Sequence, residues 1–177
     1  LKMDFLGLKN LTIIDRVIKK ANIKFSDIPL DDKSTYDLFK NGNLDGVFQF
    51  ESQGMKKFIS NLKPENINDL VAAVALFRPG PMENIDTYVK RRHNLQKISY
   101  INEDLKDILS STCGIIVYQE QIMQIARKMA GFSYAKADEL RRAMSKKKED
   151  LLLSYKDDFI SGGLSYGYDE KTLNEVY

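Results

Sequence analysis

A chain of 177 residues with 43% hydrophobic and 29% charged residues has the composition of an ordinary globular domain, and no apolar run approaches the roughly 20 residues that cross a bilayer. The single cysteine, Cys113, excludes an internal disulfide and fits a reducing cytoplasm, and no signal peptide is visible. The net charge is only +2, yet Arg141, Arg142, Lys146, Lys147 and Lys148 place five cations within eight residues, which points to a polyanionic partner.

The first six residues alternate, with Met3 and Phe5 on one side and Lys2 and Asp4 on the other, and predict a short strand closed by Gly7. A carboxylate in so apolar a stretch is paired, hydrogen-bonded, bound to metal or placed at an exposed strand end. From Leu8 to Lys20, Leu11, Ile14, Val17 and Ile18 recur at helical spacing, and Arg16, Lys19 and Lys20 suit the helix C-terminus. Asp31 or Asp32 caps a short helix through Tyr36, Leu38 and Phe39 that Gly42 ends. Residues 43–51 alternate Val47 and Gln49 against Phe48 and Phe50, so a second strand is expected there.

Ser52 caps a helix through Met55, Phe58, Ile59 and Leu62, and Pro64 stops it. A further helix starts at Asn66 or Asn68 and ends before Pro79, because the residue preceding proline avoids helical geometry. The two prolines around Gly80 make a rigid corner able to hold Arg78 in one pose. A short helix runs through Tyr88 to Arg92, and another, capped by Asn102, covers Ile101 to Leu109. Ile115 to Val117 is a β-branched run that reads as a strand or a helix entry. Tyr118 to Lys148 is then two helices joined at Gly131, with Ile122, Ile125, Ala126 and Met129 buried in the first, and Ala137, Leu140 and Met144 in the second. A helix from Glu149 to Ile160 ends at Gly162 and Gly163, and a last helix follows Asp169. The fold class is mainly α, a multi-helix domain with a strand at its start and one or two more short strands.

No Walker motif, G-x-G-x-x-G, metal-spaced Cys/His cluster or Ser-His-Asp pattern is present, and no Cys, His or acidic cluster stands at ligand spacing from the lone histidine, His93. Arginine pairs one turn from lysines suit phosphate, since guanidinium forks take phosphate oxygens bidentately and lysines add point charge. Tyr118, Gln119, Glu120 and Gln121 lie beside that basic face and are able to stack on or read a nucleotide. The residues by themselves thus describe a phosphate-binding helical domain. A solvated basic helix face and a scaffold for protein partners are the competing readings.

Five motifs in one order, LKMDFLGLKNLTII, GVFQFES, ALFRPGPM, GIIVYQEQIMQIA and ADELRRAMSKKK, resemble the C family of bacterial replicative DNA polymerases, the DNA polymerase III alpha subunits, from Leu1 to the chain end. The resemblance implies a palm-edge segment at residues 1–20 and a helical fingers domain at 21–177, cut from a longer protein. It implies that Asp4 is the third of three catalytic, metal-binding carboxylates of a two-Mg²⁺ nucleotidyl-transfer site and that Lys2 is the active-site lysine beside it. Arg78, Tyr118, Gln119, Gln121, Arg141, Arg142, Lys146 and Lys147 become nucleotide-binding residues, and Glu51 lines the site. Ser145 departs from the family's more usual glycine. The implied partners are DNA template-primer and dNTPs, with sliding-clamp and clamp-loader contacts outside this segment, and no membrane. The two other carboxylates lie upstream, so this chain alone is expected not to polymerise. The runner-up is a non-catalytic nucleic-acid-binding helical module using residues 90–97 and 141–148, with Asp4 irrelevant.

Overall fold

A computed structural model describes residues 3, 5, 7–145 and 149–177, and among these the regular structure is helical, with no strand. The chain divides into two compact units, Leu1–Val74 and Ala75–Tyr177.

The first unit holds helices α1 (Lys9–Ala21), α2 (Lys33–Lys40), α3 (Gln53–Leu62) and most of α4 (Ile67–Leu76). α1 forms where the apolar spacing predicts it, and Lys19 and Lys20 occupy its last turn, but it buries none of its residues and Leu11 and Val17 stay exposed. The caps follow local chemistry. Asp32 accepts the Thr35 amide (2.8 Å) at the start of α2, Ser52 accepts the Met55 amide (3.2 Å) at the start of α3, and Asn66 accepts the Asp69 amide (3.1 Å) leading into α4. α3 buries Met55, Phe58, Ile59 and Leu62, the face that the three- and four-residue spacing marks. Phe39 of α2 meets Phe50 edge-on, with ring centroids 5.2 Å apart.

The second unit begins inside α4 and continues through the corner at Arg78–Met82, α5 (Ile85–Arg92), α6 (Lys106–Leu109), α7 (Gln119–Ala130), α8 (Tyr134–Ser145), α9 (Glu149–Ser165) and α10 (Glu170–Val176). α7 packs on α6, α8 and α9. The core gathers Leu105 and Leu109 with Ile125, Ala126, Met129 and Ala130 of α7, Ala137 and Leu140 of α8, Phe159 of α9 and Leu173 of α10. Gly131 ends α7 in the left-handed region (φ 67°) and returns its amide to the Ala126 and Arg127 carbonyls, the glycine C-cap that an L side chain would strain.

The expected strands are not seen. Residues 43–51 form consecutive turns. Val47 donates to the Leu44 carbonyl and Phe50 to that of Val47, while Gly46 (φ 74°) and Gln49 (φ 69°) adopt left-handed geometry, which no extended strand accommodates. Around Ile115–Val117 the bonds are local, since Ile115 donates its amide to the Thr112 carbonyl, Thr112 Oγ1 donates to the Ile115 carbonyl and Val117 donates its amide to Gln121. Four of the six N-terminal residues, Leu1, Lys2, Asp4 and Leu6, lie outside the described residues, and Met3 and Phe5 are exposed and in no strand.

Two further expectations are corrected. Gly162 and Gly163 do not end α9, which runs on to Ser165; they sit inside it because neighbours come too close for a side chain. A Cβ at Gly162 would lie 2.4 Å from the Ala130 carbonyl oxygen, and one at Gly163 would lie 2.2 Å from Leu173 Cδ2. In α8 the third buried residue is Ala143 and not Met144, which is 42% exposed. The small side chain lets α8 sit close to its neighbours, whereas the hydrophobicity of methionine alone favours the wrong position.

Gly163→Ala should therefore lower stability by about 1–3 kcal/mol, measured by urea unfolding, by forcing the fully buried Leu173 to move. The Thr172 hydroxyl and amide hold the Asp169 carboxyl below its ordinary pKa, as Thr35 does for Asp32. A depressed carboxyl contributes stability above its unfolded pKa and loses it as pH falls through the lower folded value. Asp169→Asn, which can still cap α10, should flatten the acid side of the profile of thermal midpoint against pH.

Candidate functional site

The entry to α7 is built on Gln121. Its amide oxygen accepts the Val117 and Tyr118 backbone amides at 2.8 and 2.9 Å, and its Nε2 donates to the Ile108 carbonyl (3.1 Å) and to Thr112 Oγ1 (2.8 Å). The residue is 4% exposed. With both amide ends satisfied inside the fold, Gln121 is a strut for the turn that presents Tyr118 and Gln119. Tyr118 is half-buried, and burial raises its phenol pKa above the ordinary value, so it is protonated at neutral pH.

Gln119, the first residue of α7, reaches α8. Its Oε1 accepts Arg141 Nη1–H at 2.8 Å. The same guanidinium turns its Nε–H and Nη2–H toward Asp138 Oδ1 at 2.9 and 2.7 Å, and Arg142 Nη2 pairs with the other oxygen, Asp138 Oδ2. Asp138 lies three residues before Arg141 and four before Arg142, the two spacings at which helix side chains meet. The side chains of Arg141 and Asp138 are 28% and 26% exposed, while that of Arg142 is 64% exposed. The hydrogen bond from Arg141, then that from Arg142, holds the Asp138 carboxyl below the usual carboxylate range. The result is a cationic pair with fixed spacing on one helix, tied across to the start of another. Fork-shaped donors of this kind take phosphate oxygens bidentately.

The structure thus brings Gln119, Arg141 and Arg142 together through Asp138, and Gln121 fixes the Tyr118 backbone next to Gln119 in the chain. Arg78 is exposed in the Pro79–Gly80–Pro81 corner, where its amide bonds to the Leu76 carbonyl (2.8 Å) and its carbonyl receives the Met82 amide (3.1 Å); it stands outside this hydrogen-bonded group. Glu51 is exposed in the first unit. Lys2, Asp4, Lys146 and Lys147 lie outside the described residues. Asp138 is the group that counting cations overlooks. Its signal was present in DELRR, an acid placed one turn before two bases.

Two other features define what the site is not. An apolar cavity of about 230 Å³ beneath α7 and α8, bordered by Ile122, Leu140, Met144 and Phe159, has no charged residue in its lining and offers nothing to a nucleotide's phosphates. In the basic segment 90–97, the Arg91 guanidinium donates to the Cys113 carbonyl (2.9 Å) and to Ser99 Oγ (2.7 Å), a structural brace. Among the described residues no group of three or more His, Cys, Asp or Glu side chains could hold a metal ion. None of the helices among them is long and apolar enough to cross a membrane.

Known proteins resemble this chain over its whole length. The family described as "Bacterial DNA polymerase III alpha subunit finger domain" matches residues 10–167. Curated relatives named "DNA polymerase III subunit alpha" include those of Staphylococcus epidermidis, 49% identical, Halalkalibacterium halodurans, 48% identical, and Bacillus subtilis, 49% identical. All three alignments cover 100% of this chain but only 16–17% of the relative, so the chain spans about a sixth of the length of the proteins it matches. With the family matched over most of its residues, the chain belongs to the finger-domain family of bacterial DNA polymerase III alpha subunits.

Proposed function

We propose that this chain is the nucleotide-handling part of a DNA-directed DNA polymerase acting in cytoplasmic DNA replication, and that Arg141 and Arg142 receive the triphosphate of the incoming dNTP. The observation that carries this reading is the hydrogen-bonded group on α7 and α8, in which Gln119, Asp138 and the two guanidiniums are held in register. Each guanidinium retains N–H donors beyond those its protein partners use, enough to grip phosphate oxygens. Tyr118 and Gln119 flank the bound nucleotide, Gln121 positions them from behind, and Lys146 and Lys147 add charge nearby. Arg78 and Glu51 complete the lining in the assembled polymerase. Residues 1–20 belong to the palm edge and 21–177 to the fingers. Template-primer DNA supplies base selection, and the sliding clamp and clamp loader engage other parts of the whole polymerase.

The described residues hold no set of metal ligands, so a Mg²⁺ site would need Asp4 together with carboxylates outside this chain, with Lys2 beside it. When bound, the ions would lower the pKa of the primer 3′-hydroxyl and balance developing charge on phosphorus. What this chain's own residues contribute is positioning. The guanidiniums offset triphosphate charge and align the α-phosphate for in-line attack by the primer.

Two measurements test the proposal. Arg141→Ala with Arg142→Ala should weaken dNTP binding to the chain, by titration calorimetry, about ten- to a hundredfold, as expected for losing charged hydrogen bonds; unchanged affinity would overturn the phosphate role. In a primer-extension assay with Mg²⁺ the 177-residue chain alone should incorporate no nucleotide, and incorporation would refute the dependence on outside carboxylates. If DNA binding survived the arginine substitutions while dNTP binding was never detected, the non-catalytic nucleic-acid module would be the better description.

A further inference from the structure

The Asp138 carboxylate occupies the arginine pair much as a phosphate group would. One oxygen takes the Nε–H and Nη2–H fork of Arg141, at 2.9 and 2.7 Å, and the other pairs with Arg142. Two oxygens of one anion therefore span two neighbouring guanidiniums, the arrangement that a phosphate's oxygens adopt when they bridge two arginines. Of the five N–H donors on Arg141, two face Asp138 and one faces Gln119 Oε1, leaving two for anything else. Arg142, the more exposed of the pair, is held by the protein through Asp138.

From this geometry we propose that Asp138 is a built-in competing anion, a positioning residue that keeps both guanidiniums ordered while the site is empty and must give up at least one of them when a polyphosphate enters. The inference rests on the arginine pair being the phosphate site. Binding is then an exchange of one anion for another and not a simple capture. Arg142 is the arm that leaves, because it is the more solvated and its rotamers are less restricted by packing. Arg141 stays, anchored by Gln119 across the α7–α8 contact. The exchange has a purpose in a repeating reaction. An internal carboxylate that reclaims the arginines weakens the hold on triphosphate and pyrophosphate alike, and so shortens the stay of pyrophosphate, the product.

A role confined to stabilising α8 makes the opposite prediction, so the two are separable. Asp138→Asn keeps the shape and one acceptor but removes the charge. In this chain it should tighten binding of inorganic tripolyphosphate and of pyrophosphate by about three- to tenfold, the change expected on removing competition from two partly exposed ion pairs. Asp138→Glu, which restores the charge, should return affinity toward that of the parent chain. Far-UV circular dichroism and thermal unfolding confirm that each variant is folded. Weaker or unchanged polyphosphate binding by folded Asp138→Asn would overturn the proposal, because removal of a competing anion must tighten binding whereas loss of a structural contact would not. The Arg141→Ala, Arg142→Ala variant separates the two levels. If it binds tripolyphosphate as the parent does, the arginine reading itself is wrong. If it loses binding while Asp138→Asn fails to tighten it, the arginines stand and the competing-anion role falls.

Discussion

Helix α7 must bury one face against three neighbours at once, and the second unit is arranged to let it. Ile125, Ala126, Met129 and Ala130 disappear into the core, and the elements around them are shaped to reach those residues. Two glycines in the last turn of α9 allow the close contacts with the Ala130 carbonyl and Leu173, while the left-handed turn at Gly131 reverses the chain so that α8 returns alongside. Burying Ile125 and Met129 is worth about 1.5–3 kcal/mol each, against about 0–1 kcal/mol for a typical surface ion pair. The charged group at the α7–α8 contact is therefore mounted on a frame that hydrophobic packing has already made rigid. Its own hydrogen bonds aim the guanidiniums and do little to hold the helices together.

The helices were legible wherever one residue type decided the matter locally. Ser52 and Asp32 as caps, the Met55–Leu62 face and the Gly131 stop all depend on neighbours within four residues, which a linear reading sees. The failures share the opposite property. Val47, Gln49, Phe48 and Phe50 alternate like a strand, but the turn-forming demands of Gly46 and Gln49 outweigh that pattern once Leu44 and Phe50 are drawn into the core. Gly162 and Gly163 look like a helix stop in isolation, and only the approach of α7 and α10 explains why glycine is needed inside the last turn. Ala143 displaces Met144 from the buried face for a similar reason: how close two helices lie is not written in either one.

The candidate site divides along the same line. Arg141, Arg142 and Gln119 are residues whose type and spacing announce an anion, and they do meet. Gln121 belongs to the same motif but turns inward, where its four hydrogen bonds complete the turn before α7; a glutamine reads identically in sequence whether it faces a ligand or the fold. Asp138 illustrates the converse. It was visible as one acid among bases, yet a net tally of charge treats it as a small subtraction when its position makes it the organiser of the pair.

The connection between α7 and α8 is three residues long, and Phe132 in its middle is buried edge-on against Phe159, with ring centroids 6.2 Å apart. So short a joint makes the seating of that ring one of the contacts that set the angle between the two helices. The hydrogen bond between Gln119 and Arg141 therefore depends on an aromatic, uncharged joint, and a change of side-chain size at Phe132 would disturb it without altering a single charge.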